Sequence, residues 1–333
     1  MNNNLFKDFD AVSAKQWKQK IQVDLKGADY NDTLVWQSLE GIHVRPTYHA
    51  DDFQHAPTPI PGHPLQWNCT QAIFIDDETI ANKLAIDALQ RGAEAIFFTA
   101  ETSFSLETAF KNIPLETITL YFDLQFLEES FCIQLIEYLK EKAAHVYYNI
   151  DILGNVAKTG NWFQNKTKDH QVLNSLLSTY TNQNLIGINT VTYQQAGANM
   201  VQQLAYGLAH ANEYLNHFCN SEATSAINLT VTMAVGSNYF FEIAKLRAFR
   251  LLYATLAETY NVKETCHIVA IPSKRNKTIY DYNVNMLRTT SECMSAILGS
   301  SNTISNVSYD TIFHKKNESN SKGSHHSIYI NLH

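Results

Sequence analysis

The sequence predicts an α/β fold, a closed (β/α)8 barrel of the TIM type preceded by an N-terminal extension. Two observations support this prediction. From residue 71 onward, apolar runs typical of buried strands alternate with segments of helical period. The repeats recur at roughly 25 to 40 residues, and eight of them fill the roughly 250 residues of a typical barrel. An open doubly wound sheet is the alternative, but the chain lacks the glycine-rich first turn of a dinucleotide-binding fold.

The chain divides into three predicted parts. Residues 1–65 form an N-terminal arm and a Pro-rich connector, residues 66–310 the barrel, and residues 311–333 an irregular polar tail without a convincing eighth helix. Phe6, Phe9 and Trp17 make the arm too apolar for a free tail, so we expect it to pack on another surface. Four prolines exclude a helix or a central strand from the connector HAPTPIPGHPLQW.

Each predicted strand is a short apolar run, and a predicted helix follows each of the first seven. The eight runs are QAIFID (71–76), AIFFT (95–99), ITLYFDL (118–124), HVYYNID (145–151), LIGINTVTY (185–193), INLTVTMAV (227–235), HIVAIPS (267–273) and TISNVSY (303–309). Asp77 is the expected N-cap of the first helix, whose core face should carry Ile80, Leu84 and Ala88. A polar insertion (153–169) should precede the fourth helix, and one long helix should run from Gln194 to about Phe218.

The sixth unit is the clearest strand-turn-helix unit of the series. The turn Gly236-Ser237-Asn238 separates its strand from the helix YFFEIAKLRAFRLLYATL. Glu242, Lys245 and Arg247 should lie near water or a neighbouring element. The face expected against the sheet carries Phe241, Ala244, Ala248, Leu251, Leu252 and Thr255.

Composition excludes several classes of protein. With a formal charge of −7 and no basic run, the chain is a poor nucleic-acid binder. No run of about 18 apolar residues is present to span a membrane. The first residues lack a secretory pattern, and the five cysteines are scattered, so we expect a soluble cytoplasmic protein.

In a (β/α)8 barrel the catalytic residues lie at the carboxyl ends of the strands, and in this sequence those ends carry few titrating groups. Asp76-Asp77 is either a metal pair or, as we favour, a helix cap. Asp123 and Asp151 are either an acid–base pair or hydrogen-bonded strand ends, since the sequence places no His or Lys beside them. The basic turn from Ser273 to Lys277 is either a phosphate site or a solvated loop. No HxH or HxxxH pair occurs, and we predict no metal site.

Alternation along the strands predicts aromatic rings inside the barrel. Either Tyr121 with Asp123 or Phe122 with Leu124 points inward, and likewise Tyr147 or Tyr148. Because at least one of these strands places a ring on the axis in either register, we predict a filled barrel.

Four stretches within residues 17–310 resemble the methylmalonyl-CoA mutase family, specifically its small subunit. They are LVWQSLEGIHVRPTY, INTVTYQQAGA, NYFFEIAKLRAFRLL and RNKTIYDYNVNMLRTTSECMSAILG. In that family the catalytic barrel threads the pantetheine of acyl-CoA through a hollow centre lined by Ser and Thr. A later domain carries DxHxxG, whose His ligates adenosylcobalamin.

The resemblance implies a non-catalytic chain. Where the catalytic subunit has GYHMQEAGA, this sequence has TVTYQQAGA, so Thr192 stands at the His position and we expect no catalytic residue. The family's TIRQYAGFS and DxHxxG motifs have no counterpart. The resemblance therefore implies a small subunit that binds no cofactor and forms a heterodimer with a large subunit carrying adenosylcobalamin. The alternatives are a stand-alone acyl-CoA-binding or isomerase enzyme and a truncated, inactive remnant.

Five residues are candidate contacts for an acyl-CoA on this chain. They are Tyr48, Thr192, Gln194, Lys274 and Arg275. The stand-alone enzyme would use Lys274 and Arg275 with the carboxylates of Asp123 and Asp151.

Overall fold

A computed structural model describes residues 9–53, 55, 58–218, 227–281 and 283–312. Contacts divide the chain into two compact units, Met1–Pro59 and Ile60–His333. The predicted packing role of Phe6 and the predicted tail beyond residue 312 lie outside the described residues.

The first unit is small and combines short helices with a two-stranded hairpin. Its elements are α1 (Ala14–Asp24), α2 (Tyr30–Leu34), β1 (Trp36–Gln37), β2 (His43–Val44) and a 3₁₀ helix (Ala50–Asp52). Ser13 and Gln16 form a capping box at the start of α1. The extended run predicted for LVWQSLEGIHVRPTY instead folds back as an antiparallel hairpin, because Gly41 adopts a φ of 78° in its turn.

The second unit is a closed barrel of eight parallel strands, which confirms the predicted fold class. The strands are β3 (Asn68–Ile75), β4 (Ala95–Ala100), β5 (Thr119–Leu124), β6 (His145–Ile150), β7 (Asn184–Asn189), β8 (Leu229–Val235), β9 (His267–Pro272) and β10 (Thr303–Asn306). Each strand pairs with its sequence neighbour, and β10 closes the barrel against β3. Their order is that of a (β/α)8 fold.

Helices follow the strands around the barrel. They are α3 (Glu78–Gln90), α4 (Leu106–Ala109), α5 (Glu129–Glu141), α6 (Ile152–Thr159), α7 (Lys166–Thr179), α8 (Val191–Gln195), α9 (Met200–Phe218), α10 (Tyr239–Thr259) and α11 (Asn283–Leu298). As predicted, the side chain of Asp77 caps α3. Within the described residues, no helix combines the length and the apolar character needed to cross a membrane.

Three predicted segments differ from the structure. The polar insertion contains α6, because Asp151 caps its start and Gly160 ends it in the left-handed conformation. The fifth strand ends at Asn189 instead of residue 193, and the chain turns at once into α8. Gly197, with a φ of 111°, then separates α8 from α9, so the long helix begins only at Met200.

The predicted buried face of α10 was wrong, and that of α3 was wrong only in part, because Leu84 and Ala88 do pack against the core. Ile80 of α3 is mostly exposed, whereas Ala81 and Ala85 are buried. In α10, Ala244, Leu251 and Leu252 face solvent. The buried face of α10 carries Glu242, Lys245, Leu246, Phe249, Arg250, Tyr253 and Ala257. Charged side chains can occupy this face because they pair with one another and with backbone carbonyls.

Candidate functional site

Aromatic rings lie across the barrel axis. The rings of Phe97 and Tyr121 stack with centroids 5.8 Å apart, and those of Tyr121 and Tyr147 at 5.0 Å. The imidazole of His267 stacks on Tyr147 at 4.1 Å. We call these four residues the axial cluster. Of the two predicted registers, the one with Tyr121 and Tyr147 inside is therefore correct, and it fills this part of the barrel.

Hydrogen bonds hold the axial cluster together. The Tyr121 hydroxyl lies 2.8 Å from His267 Nε2 and 2.6 Å from Thr303 Oγ1. Burial lowers the pKa of His267 to about 3 and raises the pKa of Tyr121, so both groups are neutral at pH 7.

The axial cluster occupies the amino-terminal half of the barrel. Tyr121 and Tyr147 are each the third residue of their strand, and His267 is the first residue of β9. The carboxyl-terminal half is more open: Ala72 of β3, paired in register with Phe97, is exposed although it faces the axis. The mouth formed by the strands' carboxyl ends is therefore the candidate site.

Asp151 is the centre of a hydrogen-bond network at this mouth. Its Oδ1 accepts from His210 Nε2 at 2.9 Å and from the Tyr214 hydroxyl at 2.8 Å. Burial alone would raise the pKa of Asp151. The net effect is a lowered pKa, because the carboxylate is stabilised by the charge and hydrogen bond of His210 and by the backbone N–H groups of Asn189 and Gly154. The Tyr193 hydroxyl binds the other ring nitrogen of His210 at 3.1 Å.

Asp123 lies at the end of the strand next to that of Asp151. Burial raises the pKa of Asp123; the charge of Asp151 adds to the rise and that of Lys158 opposes it. Gln125 donates to Asp123 at 2.9 Å and accepts from Lys158 at 2.8 Å. The expectation that no His or Lys lies near these carboxylates was thus wrong.

Two of the predicted contact residues meet at the rim. The Arg275 guanidinium donates to the backbone carbonyl of Gln194 at 2.8 Å, and the Gln194 amide donates to Ser273 Oγ at 2.8 Å. Gln194 is buried, and its Oε1 has no hydrogen-bond partner among the described residues. Thr192 is partly buried on the same short helix α8, whereas Lys274 is exposed.

Tyr48 belongs to the first unit. Its ring lies 4.6 Å below the Arg45 guanidinium, and its hydroxyl accepts a hydrogen bond from the Arg45 backbone N–H. Asp77 is a helix cap, as favoured, and Asp76 is exposed. In the part of the chain that the structure describes, no three His, Cys, Asp or Glu side chains are arranged to hold a metal ion.

Sequence reasoning missed a buried ion pair near the mouth. Lys245 Nζ lies 2.5 Å from Glu242 Oε2 and donates to Gln203 Oε1 and to the carbonyl of Ala234. The second Glu242 oxygen accepts from the backbone N–H of Gly236. The sequence offered one signal of this pair. The predicted apolar face of α10 left Glu242 and Lys245 without an assigned partner on a helix that is otherwise rich in apolar residues.

A sequence profile and several curated relatives that match this chain carry the name of one family. Residues 99–325 match the sequence profile of methylmalonyl-CoA mutase. A methylmalonyl-CoA mutase small subunit of Porphyromonas gingivalis is 28% identical, over 94% of this chain and 56% of that protein. One of the same name from Streptomyces virginiae is 24% identical, over 92% and 55%. The mitochondrial methylmalonyl-CoA mutase of Homo sapiens is 24% identical, over 89% and 47%. The chain thus spans about half the length of the curated relatives it matches.

Proposed function

The chain belongs to the methylmalonyl-CoA mutase family, and from this membership we propose that it is a non-catalytic small subunit supporting a large catalytic subunit. The large subunit would carry adenosylcobalamin and interconvert methylmalonyl-CoA and succinyl-CoA. The names of the two bacterial relatives support the subunit role.

The axial cluster is the observation that carries this proposal. Threading pantetheine along the axis requires small side chains in the centre, as the family resemblance implies. Here Phe97, Tyr121 and Tyr147 are large, buried and stacked in the amino-terminal half. A close-packed interior resists the displacement of several rings at once, so an acyl-CoA would not pass along this axis.

The chemistry of the mouth also favours a supporting role. Thr192 has no group that titrates near neutral pH, so it does not replace the proton chemistry of a histidine. Asp151 at the mouth, whose pKa is lowered, is ionised and would repel the carboxylate of a methylmalonyl group. Arg275 lies at the rim and is already bonded to a backbone carbonyl.

We infer that the histidines at the mouth and on the axis of this barrel do not hold cobalamin. A histidine that held cobalt would need a free imidazole nitrogen, and both nitrogens of His210 at the mouth are engaged, by Asp151 and by Tyr193. His267 is held within the axial cluster. We therefore assign the cofactor to the partner subunit in this proposal.

Co-expression with a large mutase subunit tests the proposal. We expect the two chains to copurify as a heterodimer and the arm to contribute to the contact. Val23 on α1 is 73% exposed and apolar, so Val23→Asp should weaken the complex about tenfold or more. Leu65→Asp, at a residue 96% exposed in the second unit, is the matched control. A large subunit that is fully active alone and leaves this chain unbound would refute the proposal.

A stand-alone acyl-CoA-binding enzyme is the second candidate, and the exposure of Ala72 inside the carboxyl-terminal half favours it. Calorimetry with methylmalonyl-CoA and succinyl-CoA on the isolated chain separates the two candidates. Micromolar binding that Arg275→Gln abolishes would support the enzyme, whereas the small-subunit proposal expects no such binding.

A further inference from the structure

The first unit contains a cavity of about 530 Å³. Its walls come from α1, from the start of α2 and from the segment that includes the 3₁₀ helix. This volume lies within the range of small-molecule sites, which combine apolar walls with a few polar groups. The residues that matter are Lys15, Trp17, Lys18, Tyr30, Arg45 and Tyr48, which we call the arm pocket.

Three aromatic side chains give the arm pocket flat walls. Tyr30 is buried, at 8% exposure, while Trp17 and Tyr48 are 49% and 57% exposed. Large rings that stay half open at a concave surface offer their faces to a planar group, and stacking on such faces tolerates any flat aromatic base.

Cations surround these rings, and two of them are not neutralised. Arg45 pairs with Asp52 at 2.9 Å, so this pair carries no net charge. The Lys18 ammonium lies 4.8 Å from the centre of the Tyr30 ring, and Lys15 lies one turn earlier on the same helix. Among the described residues, neither lysine forms an ion pair. The pocket lining therefore carries two positive charges in excess, three cations against one carboxylate.

We propose that the arm pocket binds a nucleoside phosphate, with its base stacked between the exposed rings and its phosphate against Lys15 and Lys18. A doubly charged phosphate matches two lysines on one helical face, and a planar base matches the aromatic walls. A free nucleotide and the adenylate end of a coenzyme share this chemistry.

Calorimetry on the full chain tests the proposal with adenosine monophosphate as the probe. We expect binding by adenosine monophosphate, weaker binding by adenosine, and none by inorganic phosphate alone. Coenzyme A as a second probe separates the two sources of the ligand: tighter binding than adenosine monophosphate indicates the coenzyme, and equal or weaker binding indicates the free nucleotide.

Variants identify the site. Lys18→Gln and Tyr48→Ala should each raise the dissociation constant of adenosine monophosphate about tenfold. Tyr48→Phe keeps the ring and should retain binding, which guards against loss of the fold as the cause. Lys20→Gln is the matched control, because Lys20 lies on α1 outside the pocket and pairs with Asp24.

Two results would overturn the proposal. One is an absence of binding by adenosine monophosphate, or binding that Lys18→Gln and Tyr48→Ala leave unchanged. The other is equally tight binding of uncharged N-acetyltryptophanamide, because the pocket would then accept an apolar anchor side chain of a protein partner.

Discussion

At the scale of single residues, Tyr121 ties the axial cluster together. It stacks on Phe97 and Tyr147, and its hydroxyl joins His267 to Thr303 across the axis. Its side chain therefore contributes both apolar burial and the hydrogen bonds that two other buried polar groups require.

Tyr121→Phe should lower the free energy of unfolding by about 1–3 kcal/mol, because the buried partners at His267 and Thr303 lose their shared hydroxyl. Tyr206→Phe, at a half-exposed ring, is the control and should change it by less than about 0.5 kcal/mol. Urea unfolding followed by circular dichroism measures both. Equal stability of the two variants would argue against the hydroxyl network.

His267 makes stability depend on pH. Its pKa is about 3 in the folded chain and near the ordinary value of about 6.5 when unfolded. Between these values only the unfolded chain binds the proton, so the free energy of unfolding falls as the pH falls. The loss from this group is at most about 1.4 kcal/mol per pH unit.

Replacing His267 by Gln should remove this part of the acid sensitivity. Urea unfolding at pH 7, 6 and 5 gives the slope for both proteins, and the variant should show the shallower one. Parallel slopes would mean that His267 binds the proton equally in the folded and the unfolded chain.

At the scale of elements, α10 shows why a correct helix was given the wrong face. The apolar stripe of Ala244, Leu251 and Leu252 is exposed, and Glu242 and Lys245 are buried as an ion pair. Hydrophobic periodicity allowed these charges to lie near water or near a neighbouring element, and it could not identify a partner one turn away on the same helix.

Lys245→Met should cost about 3–5 kcal/mol of unfolding free energy, because it leaves the Glu242 carboxylate buried without a countercharge. The double variant Glu242→Gln/Lys245→Met should recover much of that loss. Lys20→Met, which breaks an exposed pair on α1, is the control and should cost less than about 1 kcal/mol. Thermal and urea unfolding would contradict the prediction if the double variant were the least stable.

Strands were easier to predict than the site. The eight strands are short apolar runs separated by helices, and this local pattern is visible in the chain. The inward register was ambiguous because parallel strands are buried on both faces, so Tyr121 and Phe122 both look like core residues. The Asp151–His210 contact joins residues 59 positions apart on different elements, and no spacing rule indicates it.

At the scale of the whole molecule, all eight barrel strands lie after residue 60. A fragment beginning at Ile60 should therefore unfold cooperatively on heating. One beginning at Gln66 should be less stable by about 1 kcal/mol, because it loses the 2.6 Å hydrogen bond between His63 and Ser300. Scanning calorimetry of the two fragments measures the difference, and equal transition temperatures would contradict it.

Closure of the barrel has a consequence for synthesis on the ribosome. β3 finds its second neighbour only in β10. Arg250 ties the segment before β10 to the residue before β9 by donating to Ser300, Asn302 and Cys266. Translation from residue 68 to residue 306 takes roughly 10–50 s at ordinary elongation rates. Throughout that interval the free edge of β3 can pair with strands of other nascent chains. This edge is therefore the part of the growing sheet that most needs protection by a chaperone.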